Sequence, residues 1–387
     1  MSKNNVTIRA KVSKSKIQFF FIGICLTLVL LNFGSLSKAF ERDYLNIDSK
    51  NNDERRKNLS PTFEHVVESF EQNSDLFVVG NTAYISQFNG TIWIYDISDP
   101  IIPIELGSYQ DRGGEPHGIY VENEILYCAS WGSGLVLINV SDPTNPTKIG
   151  QYWGNRQSFN VVVDDYIAYI GNWESGLHIV NVSDPSNIIL ISQFSGPDYL
   201  IVNVVIHEKI AIITDIDEND GDLVFVNVSD PYNPVKLPYV YQGGVALDFI
   251  VQDDLLYLCD GDAGLVILNI SSYDNIHVIS SITSRKMQIV ASLDFVNGTV
   301  YFLDYEEGLF IYDVSNPQYP KKLGSYSMHN ANKIYVIGDY AYISSYAEGF
   351  IILDITTLGT SPIFIIAPSI IVGLAISGIL LWKFKKK

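Results

Sequence analysis

Leu177-His178-Ile179-Val180-Asn181-Val182-Ser183-Asp184-Pro185 decides the fold, because the chain repeats it. Copies of the same pattern occupy residues 92–100, 135–143, 223–231, 265–272, 309–317 and 350–357. Each carries an Asp or Asn two residues before a Ser or Thr: Asp96, Asn139, Asn181, Asn227, Asn269, Asp313 and Asp354. The intervals are 43, 42, 46, 42, 44 and 41 residues. A steady period of this length marks a repeat architecture, in which one unit cannot bury its apolar face alone and stacks against the next.

Each unit holds four short β-type runs separated by turn residues. In the second, Gly118-Ile119-Tyr120-Val121 precedes Glu122-Asn123-Glu124, and residues 125–129 precede Trp131-Gly132-Ser133-Gly134. Residues 135–140 then precede Ser141-Asp142-Pro143, and 147–152 end the unit. Four strands per repeat, rich in Val, Ile and Tyr and without helical periodicity, predict an all-β, seven-bladed β-propeller over residues 62–360. A Greek-key sandwich uses strands this short but does not explain seven equal repeats. The seventh copy runs into Ser361-Pro362 without a fourth strand. Val67-Glu68-Ser69-Phe70 aligns with the fourth-strand segments Leu106-Gly107-Ser108-Tyr109 and Leu323-Gly324-Ser325-Tyr326. The N-terminal segment is therefore expected to complete blade seven, removing two open sheet edges.

The consensus Gly-Leu-x-Ile-x-Asp/Asn-Val-Ser-Asp-Pro-x-x-Pro resembles the LVIVD-repeat family of bacterial and archaeal surface-associated propellers. The resemblance spans residues 61–359 and implies the fold and an extracellular repeat module, with no single activity. Asn replaces Asp in copies two to five, and Asp-Pro is lost at Ser271-Ser272-Tyr273 and Thr356-Thr357-Leu358.

Charge is unevenly placed. The formal net charge is −18, yet ten of the 25 basic residues lie in residues 1–39 and 383–387, leaving 15 against all 43 acids, a net of −28 for the rest. Such a surface repels nucleic acid and favours cationic partners. Lys3, Arg9, Lys11, Lys14 and Lys16 precede the apolar run 17–31, which reads as a signal peptide or an uncleaved signal anchor within residues 1–39. Residues 40–61 read as a disordered polar spacer. The uncharged run 363–382, followed by four Lys, predicts a transmembrane helix with a basic cytoplasmic tail over 361–387. Terminal hydrophobic helices and a membrane-held, extracytoplasmic propeller follow. Cys128 and Cys259, about three repeats apart, predict buried thiols and no disulfide.

Candidate sites are weighed against architecture. The Ser-Asp-Pro triplets read as turn formers between third and fourth strands, Pro fixing φ and Asp accepting a backbone N–H. Of the Asn-x-Ser/Thr acceptors, Asn58, Asn89 and Asn297 are loop positions open to glycosylation, whereas Asn139, Asn181, Asn227 and Asn269 fall on the repeat motif. Asp215, Asp217, Asn219, Asp220 and Asp222 form an acidic cluster able to offer several oxygens to Ca²⁺, or an acidic hairpin tip.

Because successive strands alternate direction, loops entering first strands share a face with those joining second and third strands. That face is expected to carry an aromatic crescent, Phe88, Trp131, Trp173, Tyr305 and Tyr346. It also holds a channel mouth of Asp75, His117, Asn160, Asn203, Asp248, Asp294 and Lys333, and an acidic sector including Asp260 and Asp262. No nucleophile elbow, zinc-protease helix, phosphate loop or Cys-x-x-Cys occurs. The sequence therefore points to a binding or scaffolding module for a surface protein, glycan or envelope component. The rival is a hydrolase or lyase using Asp75, His117, Asp248 and Asp294 over the channel, which requires those carboxylates to converge.

Overall fold

The computed structural model describes residues 64–67 and 72–356, except 155, 197–199, 217–220, 244–245, 262, 284–289 and 347. The chain divides into units Met1–Pro61 and Thr62–Lys387, and every described residue belongs to the second. The expected signal segment, spacer and C-terminal helix lie outside the described residues. Among those described, no helix is long and apolar enough to cross a membrane.

Seven four-stranded antiparallel sheets account for the expected blades. Blades one to six run over residues 73–110, 115–152, 158–194, 201–242, 246–282 and 290–326, each in sequence order from inner to outer strand. The middle strands read as nearly unbroken apolar runs because neighbouring blades cover both of their faces. Leu135, Val136, Leu137 and Ile138 are all fully buried, whereas the outer strand Thr147–Tyr152 is partly open. The core accordingly lies between blades. Seven buried clusters occupy the seven interfaces, and one packs Leu76, Ile85 and Tyr95 of blade one on Tyr342, Phe350 and Ile352 of blade seven. The ring is closed by apolar packing as well as by hydrogen bonds.

Glu64–Val67 supplies the outer strand of blade seven, as expected, pairing antiparallel with Gly349–Asp354. Its register differs from the sequence alignment. Phe350 faces Val67, whereas the equivalent Ile92 and Leu135 face Tyr109 and Tyr152, the position assigned to Phe70. Blades one to six each carry a bulge between third and outer strands, and the closing pair has none among its described residues. Outer strands are open on one side, so little burial fixes their register.

The repeat motif is a turn device. Asp96, Asn139, Asn181, Asn227, Asn269, Asp313 and Asp354 each accept, through Oδ1, the backbone N–H two residues on, at 2.8–3.0 Å. Only that oxygen is needed, so Asp and Asn interchange. The Asp of the triplet repeats the bond, Asp99 to Ile101 and Asp142 to Thr144. The proline carbonyl then seats the outer strand of the preceding blade: Ser192 and Ser280 donate to the carbonyls of Pro231 and Pro317 at 2.6 Å. A Cβ on Gly107 or Gly150 would run into those of Pro143 and Pro185.

Candidate functional site

The mouth is built by an extra residue in each inner strand. All seven inner strands carry a bulge near their start, which twists the strand and re-aims one side chain. The residues just beyond the bulge share one level: Asp75, Gly118, Asn160, Asn203, Asp248, Ser292 and Lys333. Asp294, expected in this ring, lies two residues further along its strand, and Ser292 takes its place. His117 is itself the bulged residue of blade two, the counterpart of Phe159 in blade three.

The ring side chains bind across blades. Asp75 Oδ2 accepts the Ile119 N–H at 2.8 Å, Asp248 Oδ2 that of Leu293 at 3.4 Å, and Ser292 Oγ that of Ile334 at 3.4 Å. One level down, Asp294 Oδ2 accepts the Val336 N–H at 2.6 Å. Inner strands are sheet edges facing the channel, and these bonds satisfy N–H groups that no ladder reaches. Asp248 is the hub, receiving Asn203 Nδ2 at 3.1 Å, Ser292 Oγ at 2.8 Å and Lys333 Nζ at 2.9 Å.

Burial sets the electrostatics. Desolvation raises the carboxyls of Asp75 and Asp294 from 3.8 to about 6, although Lys333 and backbone N–H donors pull the other way. Desolvation also acts to lower Lys333, but Asp248 and Asp75 more than offset it and hold the ammonium charged. Among the described residues no cluster of three or more His, Cys, Asp or Glu could hold a metal ion. Asp75, Asp248 and Asp294 are each bound to Lys333 or to backbone N–H groups, and the Asp248 charge acts on the other two.

The aromatic crescent is continuous from blade seven to blade three. Tyr346 meets Phe88 at 6.4 Å between centroids, Phe88 meets His117 at 5.0 Å, and His117 meets Phe159 at 4.3 Å and Trp131 at 6.5 Å. Phe159 touches Trp131 at 5.7 Å and stacks on Trp173 at 5.2 Å. All six are partly buried, packed between blades. Tyr305 joins through backbone: Asn330 N–H donates to its carbonyl and the Tyr346 N–H donates to that of Asn330, both at 2.9 Å. Burial among these rings lowers His117 to about 3, and its Nε2 is buried without a hydrogen-bond partner.

Sequence reasoning missed Phe159, whose signal is its place one residue before Asn160, as His117 precedes Gly118. It also missed Trp153, 52% exposed, with the Arg156 guanidinium 4.6 Å from its ring.

The acidic sector is less open than expected. Asp215 and Asp260 are buried ends of second strands: Asp215 Oδ1 accepts the Leu200 N–H, and Asp260 accepts from Ala263 N–H and the Tyr241 hydroxyl. Asp304 braces its loop likewise through the N–H groups of Glu306 and Glu307. Asp222 is the cross-strand partner of Asp215, while Asp217, Asn219, Asp220 and Asp262 lie outside the described residues. Of the glycosylation positions, Asn58 is likewise outside, and Asn89 and Asn297 are exposed, Asn89 beside Phe88 and Asn297 in a turn on the opposite face. Cys128 and Cys259 are buried free thiols.

The family described as LVIVD repeat matches residues 72–111, 113–153, 155–195, 243–281, 298–328 and 329–365. The fourth blade lies outside those matches yet forms a complete sheet. No curated protein matches the chain. Among solved structures, the β-propeller domain of Cps50 (Swd1) from Myceliophteria thermophila is similar at 10% identity and a TM-score of 0.62, covering 75% of this chain and 99% of that one. U3-55K aligns at 8% identity and a TM-score of 0.63, covering 76% and 100%. The computationally designed Ika8 protein aligns at 10% identity and 0.54, covering 75% and 99%. At these identities the likeness concerns the fold alone.

Proposed function

The chain belongs to the LVIVD repeat family, and on that premise we propose that it is a membrane-anchored cell-surface module that binds a partner through the propeller mouth. The observation carrying this reading is the unbroken aromatic belt from Tyr346 to Trp173, partly exposed over several blades. Rings held edge to face or stacked cannot collapse away from a ligand, so contact costs little ordering entropy. The anchor rests on the uncharged run 363–382 and its four following Lys. The bonds of Asp75, Asp248 and Asp294 to backbone N–H groups and Lys333 give these carboxylates a part in holding blades together, which supports the binding reading.

Replacing Trp131 and Trp173 together by Ala tests this. Retention on the native cell envelope should be lost while Tm stays within about 5 °C, since neither ring is fully buried. Full retention by the double variant would refute the reading.

A further inference from the structure

We propose that the sector of the mouth centred on Trp131 is a site for an acidic saccharide, a deepening that rests on the binding reading above. Arg112 and Arg156 are the only arginines among the described residues, and both are exposed. They sit in the loops leading into the inner strands of blades two and three, and those loops converge on one hairpin tip. Gly132 donates its N–H to the Arg156 carbonyl at 2.7 Å, and a Cβ placed on Gly132 would meet the Gly113 carbonyl oxygen at 2.7 Å. The two arginines therefore flank the Trp131-Gly132 tip.

No other described cation competes on this rim. Lys333 is in the channel, Lys148, Lys236, Lys321 and Lys322 are on outer strands, and Lys209 is paired with Asp164 in a turn on the opposite face. In a chain of formal charge −18, the positive charge that the described residues place on the mouth rim lies in the aromatic sector. A planar guanidinium matches a carboxylate bidentately, and Arg156 is already held against the Trp153 ring at 4.6 Å.

Two polar atoms beside Trp131 are buried without a hydrogen-bond partner, Glu115 Oε2 and His117 Nε2. Glu115 is the cross-strand partner of Trp131, and the His117 ring centroid lies 6.5 Å from that of Trp131. Leaving such groups unsatisfied is costly. A hydroxyl donates and accepts at once and can serve either. The combination of flat rings for the C–H face of a pyranose, hydroxyl-compatible orphans and two arginines for a carboxylate describes a uronic-acid sugar. A peptide fits less well, because the inner-strand edge of blade two is already capped at the Ile119 N–H by Asp75.

Calorimetric titration of the full chain in detergent tests this with three probes: oligogalacturonate, an uncharged galactose oligomer of equal length, and polyglutamate. The expected result is binding of oligogalacturonate that weakens with salt and falls about tenfold or more in the Arg112→Gln/Arg156→Gln variant, whose Tm is unchanged. Equal binding of the neutral oligomer, binding of polyglutamate alone, indifference to the two arginines, or no saccharide binding would each overturn it. If no saccharide binds while the Trp131/Trp173 pair still governs envelope retention, this inference falls and the binding reading stands.

Discussion

Lys333 of blade seven reaches Asp248 of blade five, Nζ to Oδ2 at 2.9 Å, joining two blades that are not neighbours. Asp248 also holds Asn203 and Ser292, so one carboxylate ties four blades at the channel. Buried ion pairs rarely add net stability over apolar packing, but removing one partner strands the other.

Lys333→Met should therefore destabilise the propeller. A loss of about 3 kcal/mol is expected, the low end for a broken buried pair because a quarter of the Lys333 side chain remains exposed. Chemical denaturation measures it. The double variant Lys333→Met/Asp248→Asn should recover much of the loss, because the amide keeps an oxygen for the remaining donors Asn203 and Ser292, and a single variant as stable as the parent would show that the pair is solvated.

Acid stability separates two opposing effects. Burial lowers His117 from 6.5 to about 3, so as pH falls below 6.5 the unfolded chain takes up a proton that the folded one refuses, and stability drops. His178, lowered to about 4, acts in the same sense. Asp75 and Asp294, raised from 3.8 to about 6, bind protons first in the folded state, so they add stability as pH falls from 6 towards 3.8. Each group changes stability by roughly 1.4 kcal/mol per pH unit within its window, and in the parent the two pairs nearly cancel. His117→Gln removes one destabilising member. Between pH 6.5 and 4.5 its stability should rise relative to the parent by roughly 2 to 3 kcal/mol. Parallel urea midpoints for the two proteins across that range would contradict the burial of His117.

The repeat turns need an oxygen and no charge. Asn181→Ala should cost about 1 kcal/mol by leaving the Ser183 N–H without its side-chain acceptor, while Asn181→Asp should be nearly neutral. A comparable loss in both variants, measured by thermal unfolding, would mean that the amide nitrogen matters too.

Closure of the ring is testable by truncation. Deleting residues 62–71 removes Glu64–Val67 and leaves Gly349–Asp354 as an open edge strand. Such an edge recruits other chains, so light scattering should report self-association that the parent lacks. A monomeric, equally stable truncation would show that the interface between blades one and seven suffices by itself.

Repetition made the architecture legible before any coordinates. A unit repeated seven times with four short strands leaves few ways to bury its apolar runs, and the odd strand count at the two ends demanded a shared last blade. The face on which Phe88, Trp131 and Trp173 emerge also followed from strand alternation alone. Heights and registers did not. Asp294 and Ser292 differ by two residues, a full strand period, so sidedness cannot tell them apart and only pairing against Leu303 and Tyr301 does. The closing strand, weakly patterned, settled three residues from its alignment.

The order of the blades, the turns at Asp96 and its counterparts, and the sharing of a face are therefore properties of the sequence, because local hydrogen bonding and periodic burial act along the chain. The contacts of Lys333 with Asp248, of His117 with Phe159, and of the Arg156 carbonyl with Gly132 belong to tertiary structure. They join residues from different repeats, and which of them meet depends on bulges and blade spacing that no single repeat encodes.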